Sequence, residues 1–269
     1  MSQQPTVRYY DAQYSQFATQ LYAEIRAATF GEDIGQNGWL TSDEHDLFIA
    51  WLALTPESRL LDIACGSGRT TLRIAQLIGC CVQGIDMHAQ AVAAANAATA
   101  QQNLTAQARF DVVDAAQRLP FDDAAFDALI CIDAVNHLRD RSAIFHEWAR
   151  VLEPGGRLVF TDPIVVTGAL TNEEIAIRSS IGFFLFVPPD YNERLLAEAG
   201  FRIVEVFDRT ENMARMAGRW HAARASRAAE LRDIEGEETF DGQQRFLEVA
   251  ARLAAEHRLS RYAFQAVRS

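Results

Sequence analysis

The sequence predicts an α/β protein built on a doubly wound, mostly parallel seven-stranded sheet with helices on both faces. Three observations carry this reading. From Arg59 onward, short apolar runs alternate with helical patterns, as repeated βα units do. The first of those runs passes directly into a glycine-rich turn, Ala64-Cys65-Gly66-Ser67-Gly68, and then into a helix. Hydrophobic residues make up 49% of 269 positions, enough to cover a sheet on both faces, yet no run approaches the about 18 apolar residues of a membrane span.

The elements follow in order. Tyr14, Phe17, Leu21 and Ile25 lie three or four apart and make one apolar stripe of a first helix. Gly31 to Gly38 breaks it, and Thr41-x-x-Glu44 reads as a capping box opening a second helix through Leu54. Strands are then predicted at Arg59–Ala64, Cys80–Ile85, Ala106–Val113, Phe126–Ile132 and Arg157–Thr161. Helices at Arg69–Ile78, His88–Gln102 and Asp140–Leu152 connect them, the last with Ile144, Trp148 and Leu152 on one face. Regularity lapses between Asp162 and Val187. Asp190-x-x-Glu193 opens another helix that Gly200 stops, and Phe201–Phe207 is a strand. Asp208-x-x-Glu211 and Asp241-x-x-Gln244 read as caps of helices Thr210–Asp233 and Gln243–Arg258, split by the acidic turn Glu235–Glu238, before a final strand at Ser260–Val267. The expected organisation is a helical cover over 1–55, a core over 56–208, a helical insertion over 209–258 and a last core strand over 259–269.

Composition removes several function classes. The formal net charge is −11 with no basic stripe, which argues against nucleic acid as a partner. The chain contains no lysine, so it has neither a Schiff-base anchor for pyridoxal phosphate nor a P-loop lysine. Its four cysteines form no C-x-x-C pair, so no metal site is expected and all four read as buried thiols. Met1 to Asp11 lacks the basic start and apolar run of a secretory signal, which makes a cytoplasmic location the expectation. A G-x-G-x-x-G dinucleotide fingerprint starting at Gly66 would need glycine at position 71, where Thr71 stands.

Around the glycine turn the chain resembles the class I, Rossmann-like S-adenosylmethionine-dependent methyltransferases. The segment Asp62-Ile63-Ala64-Cys65-Gly66-Ser67-Gly68 matches their acid-x-G-x-G-x-G motif, with Ala64 in place of the first glycine. Further matches recur in order over about 100 residues: Gly84-Ile85-Asp86-Met87, Asp114-Ala115 with Leu119-Pro120-Phe121, Phe126 to Ile132, and Arg150-Val151-Leu152-Glu153-Pro154-Gly155-Gly156. The resemblance implies a last strand antiparallel to the rest and S-adenosyl-L-methionine as cofactor, with S-adenosyl-L-homocysteine as product. It implies that the backbone around Ala64, Gly66, Ser67 and Gly68 packs against the methionine end, with Asp62 near the ammonium. Asp86 then takes the ribose hydroxyls, Met87 and Ile132 wall the adenosyl group, and Asp114 and the Ala115 N–H serve the adenine edge.

Methyl transfer from a sulfonium needs placement more than a strong catalytic apparatus. Where the acceptor must lose a proton, His137 or Asp133, just past the fourth strand, is positioned to take it or to orient the acceptor. The other histidines, including His45 and His88, read as surface or packing residues. Substrate contacts are expected from Tyr9, Tyr10, Trp39, Phe183 and Trp220, aromatic walls that suit a cationic amine or a planar phenol. This part is similar to the phosphoethanolamine and sarcosine N-methyltransferases. The expectation is transfer to N or O of a small-molecule acceptor by a monomer or homodimer. A non-catalytic cofactor binder and a nicotinamide-dependent oxidoreductase are the alternatives.

Overall fold

A computed structural model describes Tyr14 and residues 16–269. Two helices, α1 (Gln20–Phe30) and α2 (Ser42–Leu52), precede the sheet. Then come β1 (Arg59–Ile63), α3 (Arg69–Ile78), β2 (Cys81–Asp86), α4 (Ala89–Gln101), β3 (Ala108–Val112) and β4 (Phe126–Cys131). A 3₁₀ turn, Val135–His137, leads into α5 (Arg141–Val151) and β5 (Leu152–Val166). The chain closes with α6 (Asn172–Arg178), α7 (Tyr191–Glu198), β6 (Phe201–Asp208), α8 (Thr210–Ser226), α9 (Ala228–Glu235), α10 (Glu237–Ala255) and β7 (Leu259–Arg268).

The seven strands form one sheet in the order β3-β2-β1-β4-β5-β7-β6. Strands β3 to β5 pair in parallel, and β7 runs antiparallel between β5 and β6. Such a sheet must bury both faces. Phe145 and Trp148 of α5 with Leu195 and Leu196 of α7 cover one face, and Phe48 and Leu52 of α2 with Leu72 and Ile74 of α3 cover the other. A third apolar cluster joins Phe30 and Trp39 to Met213, Met216 and Ala217 of α8 and Phe246 and Leu247 of α10, so the first and last helices pack together as a cover. Strand order reverses between β1 and β4, and ligands of open α/β sheets bind beyond the carboxyl ends of strands at such a point.

The predicted strands and core helices are present, with differences that have local causes. Strand β5 continues to Val166, and the stretch that looked irregular contains α6. Thr171 and Glu174 make a reciprocal capping box there. The Thr41-x-x-Glu44 pattern stands at a helix start but makes no side-chain cap, because Glu44 is buried and drawn away to Arg209 and Arg261. Asp190 likewise makes no cap bond. The helix expected over Thr210–Asp233 breaks at Arg227, and the acidic turn shrinks to Gly236 with φ +83°, so Asp241 lies inside α10. Of the arginines on that helical pair, Arg224 is buried against Glu235. Cys65, Cys80 and Cys131 are buried, whereas Cys81 is exposed. Among the described residues no helix is long and apolar enough to cross a membrane, and no cluster could hold a metal ion.

The 3₁₀ turn past β4 is anchored from below by a buried polar triad. Arg141 Nη1 donates to Asp162 Oδ2 at 2.8 Å, Asn192 Nδ2 donates to the same oxygen at 2.9 Å, and Arg141 Nη2 donates to the Val135 carbonyl at 3.1 Å. Both charged side chains are fully buried. Removing one partner of such a pair strands the other charge, so Arg141→Met is expected to cost about 3–5 kcal/mol. Urea unfolding of the variant beside the parent protein measures this.

Candidate active site

At the carboxyl end of β1 the backbone turns away through three left-handed residues, Ala64 (φ +58°), Gly66 (φ +56°) and Gly68 (φ +70°). A side chain at Gly68 would sit 2.7 Å from both the Ala95 methyl and the Phe110 ring, so this position needs its bare backbone. Ala64 adopts the same conformation with a methyl group, at a cost of about 1–2 kcal/mol relative to right-handed backbone. Asp86, at the end of β2, holds the turn: its Oδ2 accepts from the Gly66 N–H and its Oδ1 from the His88 N–H, both at 2.9 Å. Asp62 lies beneath the turn and accepts from the Thr71 hydroxyl. Burial pushes its carboxyl up to about 7, the Thr71 donor opposing and the Asp86 charge adding to the rise.

Three adjoining cavities open around these strand ends. One is walled by Asp62, Ala64, Gly66, Ser67, Ile130 and Ile132, with Gln36 and His45 from the N-terminal cover. The second, about 780 Å³ including its open mouth, is walled by Asp86, Met87, His88, Val113, Asp114 and Ala115. Tyr14, Asn37, Ala64, Ile132 and Asp133 line both, so Asp62 on one side and Asp86 and Asp114 on the other face a continuous hollow. The third lies under the helical cover, walled by Trp39, Phe184, Trp220 and Phe246 with Asn136 and Arg178. His137 stands where the second and third meet.

His137 Nδ1 lies 3.0 Å from the Phe183 carbonyl. A carbonyl only accepts, so Nδ1 carries the proton and Nε2 of the neutral ring carries the lone pair. Burial drives its pKa down to about 4, against a small upward pull from that carbonyl. The Asp133 carboxylate has all four acceptor positions filled. Oδ1 accepts from the Thr161 hydroxyl at 2.8 Å and Arg261 Nε at 2.6 Å, and Oδ2 from the Trp39 N–H at 2.8 Å and Arg261 Nη2 at 3.3 Å.

The comparisons with known proteins agree with this architecture. The profile described as a methyltransferase domain matches residues 61–160. The O-methyltransferase cnsE of Penicillium expansum is 32% identical over 154 residues, a match that spans 57% of this chain and only 55% of that one. A solved structure described as a putative sarcosine dimethylglycine methyltransferase from Galdieria sulphuraria superposes with a TM-score of 0.82 at 20% identity, over 97% of this chain and 99% of that one. The O-methyltransferase rstn1 of Aspergillus nomiae is 30% identical over 223 residues, 77% of this chain and 95% of its own length. The chain belongs to the class I S-adenosylmethionine-dependent methyltransferases.

Members of this family use S-adenosylmethionine, and the methyltransferase site has the groups such a ligand requires. The carboxylates of Asp62 and Asp86 are 6% and 5% exposed, and lining a hollow with buried acids suits a ligand that brings an ammonium and hydroxyl donors. Thr71, the residue that spoils a dinucleotide fingerprint, is occupied with Asp62. The motif residues Asp62, Ala64, Gly66, Ser67, Asp86, Met87, Asp114, Ala115 and Ile132 all line the first two cavities, while Gly68 packs behind the turn. Asp114 Oδ1 accepts from the Ala116 N–H at 2.9 Å, and Met87 is 49% exposed at the rim. Trp39 and Trp220 wall the third cavity. Phe183 contributes its carbonyl while its ring lies under Arg139, and Phe184 takes the place expected for it. Tyr9 and Tyr10 lie outside the described residues. Sequence reasoning missed Tyr14, His45, His88, Asn136 and Arg178, all of which line the cavities.

The raised pKa of Asp62 has a consequence for stability. The folded state holds that proton more tightly than the unfolded chain, so the contribution is complete below about 4 and is lost as pH rises through about 7. The unfolding free energy of the ligand-free protein, measured by urea titration, is expected to fall across this window by a few kcal/mol on Asp62's account. In Asp62→Asn that part of the slope should vanish.

Proposed function

We propose that this chain is an O-methyltransferase acting on the hydroxyl of a small, ring-containing acceptor bound in the third cavity. The observation that carries this reading is His137, a neutral imidazole held by the Phe183 carbonyl at the junction of the two cavities. A hydroxyl must shed its proton as it is methylated, and a neutral imidazole in that position can accept it. The cavity wall supports oxygen over a cationic amine. It carries the Arg178 guanidinium, which lies 4.1 Å from the Phe246 ring centroid, and among the described residues its one carboxylate, Asp133, is neutralised by Arg261. Aromatic walls without a free anion suit a flat neutral ring better than an ammonium.

S-adenosylmethionine, when bound, supplies a methyl group already activated on a sulfonium. Asp62 would meet its ammonium, Asp86 its ribose hydroxyls, and Asp114 and the Ala115 N–H its adenine edge. Met87 and Ile132 close the sides. The Asp133 side chain holds the Gly38–Trp39 backbone against the end of β4, and a methyl at Gly38 would lie 2.8 Å from its Oδ2. We therefore assign Asp133 to shaping the boundary between cavities and His137 to accepting the proton. The cover formed by Trp39, Trp220 and α10 keeps water from the acceptor.

Isothermal titration and turnover with a panel of hydroxylated and amino acceptors test this reading. Asp86→Asn is expected to weaken S-adenosylmethionine binding about 10- to 100-fold, the effect of one charge-assisted hydrogen bond. His137→Ala should lower kcat about 10²- to 10⁴-fold with cofactor affinity unchanged. With a pKa near 4, His137 stays unprotonated at higher pH, so turnover should not fall on its account between pH 8 and 6. Methylation of amines alone, or full turnover by His137→Ala, would refute the assignment.

A further inference from the structure

The cavity behind His137 concentrates polar atoms that the protein itself leaves unsatisfied. Nearly all buried donors and acceptors in folded proteins are paired, and each exception calls for a reason. Asn136 is fully buried, yet neither its Oδ1 nor its Nδ2 meets a hydrogen-bond partner. Asn37 Nδ2 is buried and unpartnered as well. Both side chains line the third cavity, whose other walls are largely the rings of Trp39, Phe184, Trp220 and Phe246. Packing alone gives no account of Asn136, since an apolar residue would fill the space without stripping an amide of water. Nor does the main chain: the Asn136 carbonyl accepts from the Leu185 N–H at 2.8 Å, and Arg141 pins the neighbouring Val135 carbonyl. The turn is fixed, and the amide is buried unpaired beside the cavity.

We propose that Asn136 and Asn37 form a specificity subsite for a second oxygen function on the acceptor, beside the hydroxyl that faces His137. The inference rests on the third cavity being the acceptor site. Asn136 offers one donor edge and one acceptor edge, and Asn37 offers a donor. A ring carrying a hydroxyl next to another hydroxyl, or next to a carbonyl or carboxamide, satisfies these atoms. A plain phenol leaves them stripped of water and unpaired. Sites built around such hydrogen bonds discriminate strongly against analogues that lack the partner group. The acceptor class is therefore a vicinally oxygenated ring rather than a monohydroxylated one.

The test is isothermal titration of the S-adenosylhomocysteine-loaded protein with catechol, salicylamide and phenol. Catechol and salicylamide should bind about 10-fold or more tightly than phenol. Asn136→Leu should erase that difference while leaving phenol and S-adenosylhomocysteine affinities unchanged. The same variant without ligands should melt at or above the parent temperature, because a stripped amide has been removed. Binding of no probe, a preference that survives Asn136→Leu, or a variant that melts several degrees lower would overturn the subsite. Full turnover by His137→Ala is a separate failure: it removes the proposed base and leaves the binding preference standing.

Discussion

One buried ion network joins the cover to the sheet, and the shape of the cleft depends on it. Arg261, on the antiparallel strand β7, is fully buried and donates both to Asp133 past β4 and to Glu44 on α2. Glu44 also accepts from Arg209 and from Asn212 of α8, and Asn212 donates to the Trp39 carbonyl. Four separate stretches of chain thus meet on two carboxylates and two guanidinium groups. Charges removed from water to this extent are tolerated only when every hydrogen-bonding position is used, and here Asp133 uses all four. The arrangement fixes the Gly38–Trp39 backbone at the boundary of the first and third cavities.

Around that fixed boundary the site divides its work between backbone and side chains. The cofactor half is made by strand ends whose turns are set by left-handed residues and by the Asp86 bonds to main-chain N–H groups. The proposed acceptor half is lined by residues of the cover, chiefly Trp39, Trp220 and Phe246, with Asn136 and His137 supplied by the 3₁₀ turn. Backbone turns of this sort suit one ligand, whereas side chains on a helical cover can change without disturbing the sheet. That division is compatible with this chain resembling relatives that bear both O- and N-methyltransferase names.

The cofactor half was legible in the sequence for the same reason. Asp62, Gly66, Asp86 and Asp114 stand at strand ends, where glycine and acidic side chains at fixed spacing carry a local signal. What could not be read depends on contacts distant along the chain. Asp133 looks like a free acid until Arg261, 128 positions later, is folded onto it. Tyr14 reads as one member of a helical stripe, yet its hydroxyl lies where a side chain on Gly66 would be. Local patterns also competed with tertiary ones. Thr41 and Glu44 have the spacing of a capping box, but two arginines take the glutamate, while Thr171 and Glu174 make the real box in a stretch that looked irregular. Asn136 had no distinguishing signal, because an unpaired amide is visible only when its surroundings are.

The central claim is that the strand-end carboxylates and His137 bound one continuous transfer site. A crystal structure of the protein with S-adenosylhomocysteine tests it most directly. Ribose hydroxyls are expected on Asp86, the amino group beside Asp62, and the sulfur facing the His137 side of the hollow. A ligand lying elsewhere, or one whose sulfur is walled off from the Trp39–Phe246 cavity, would contradict it.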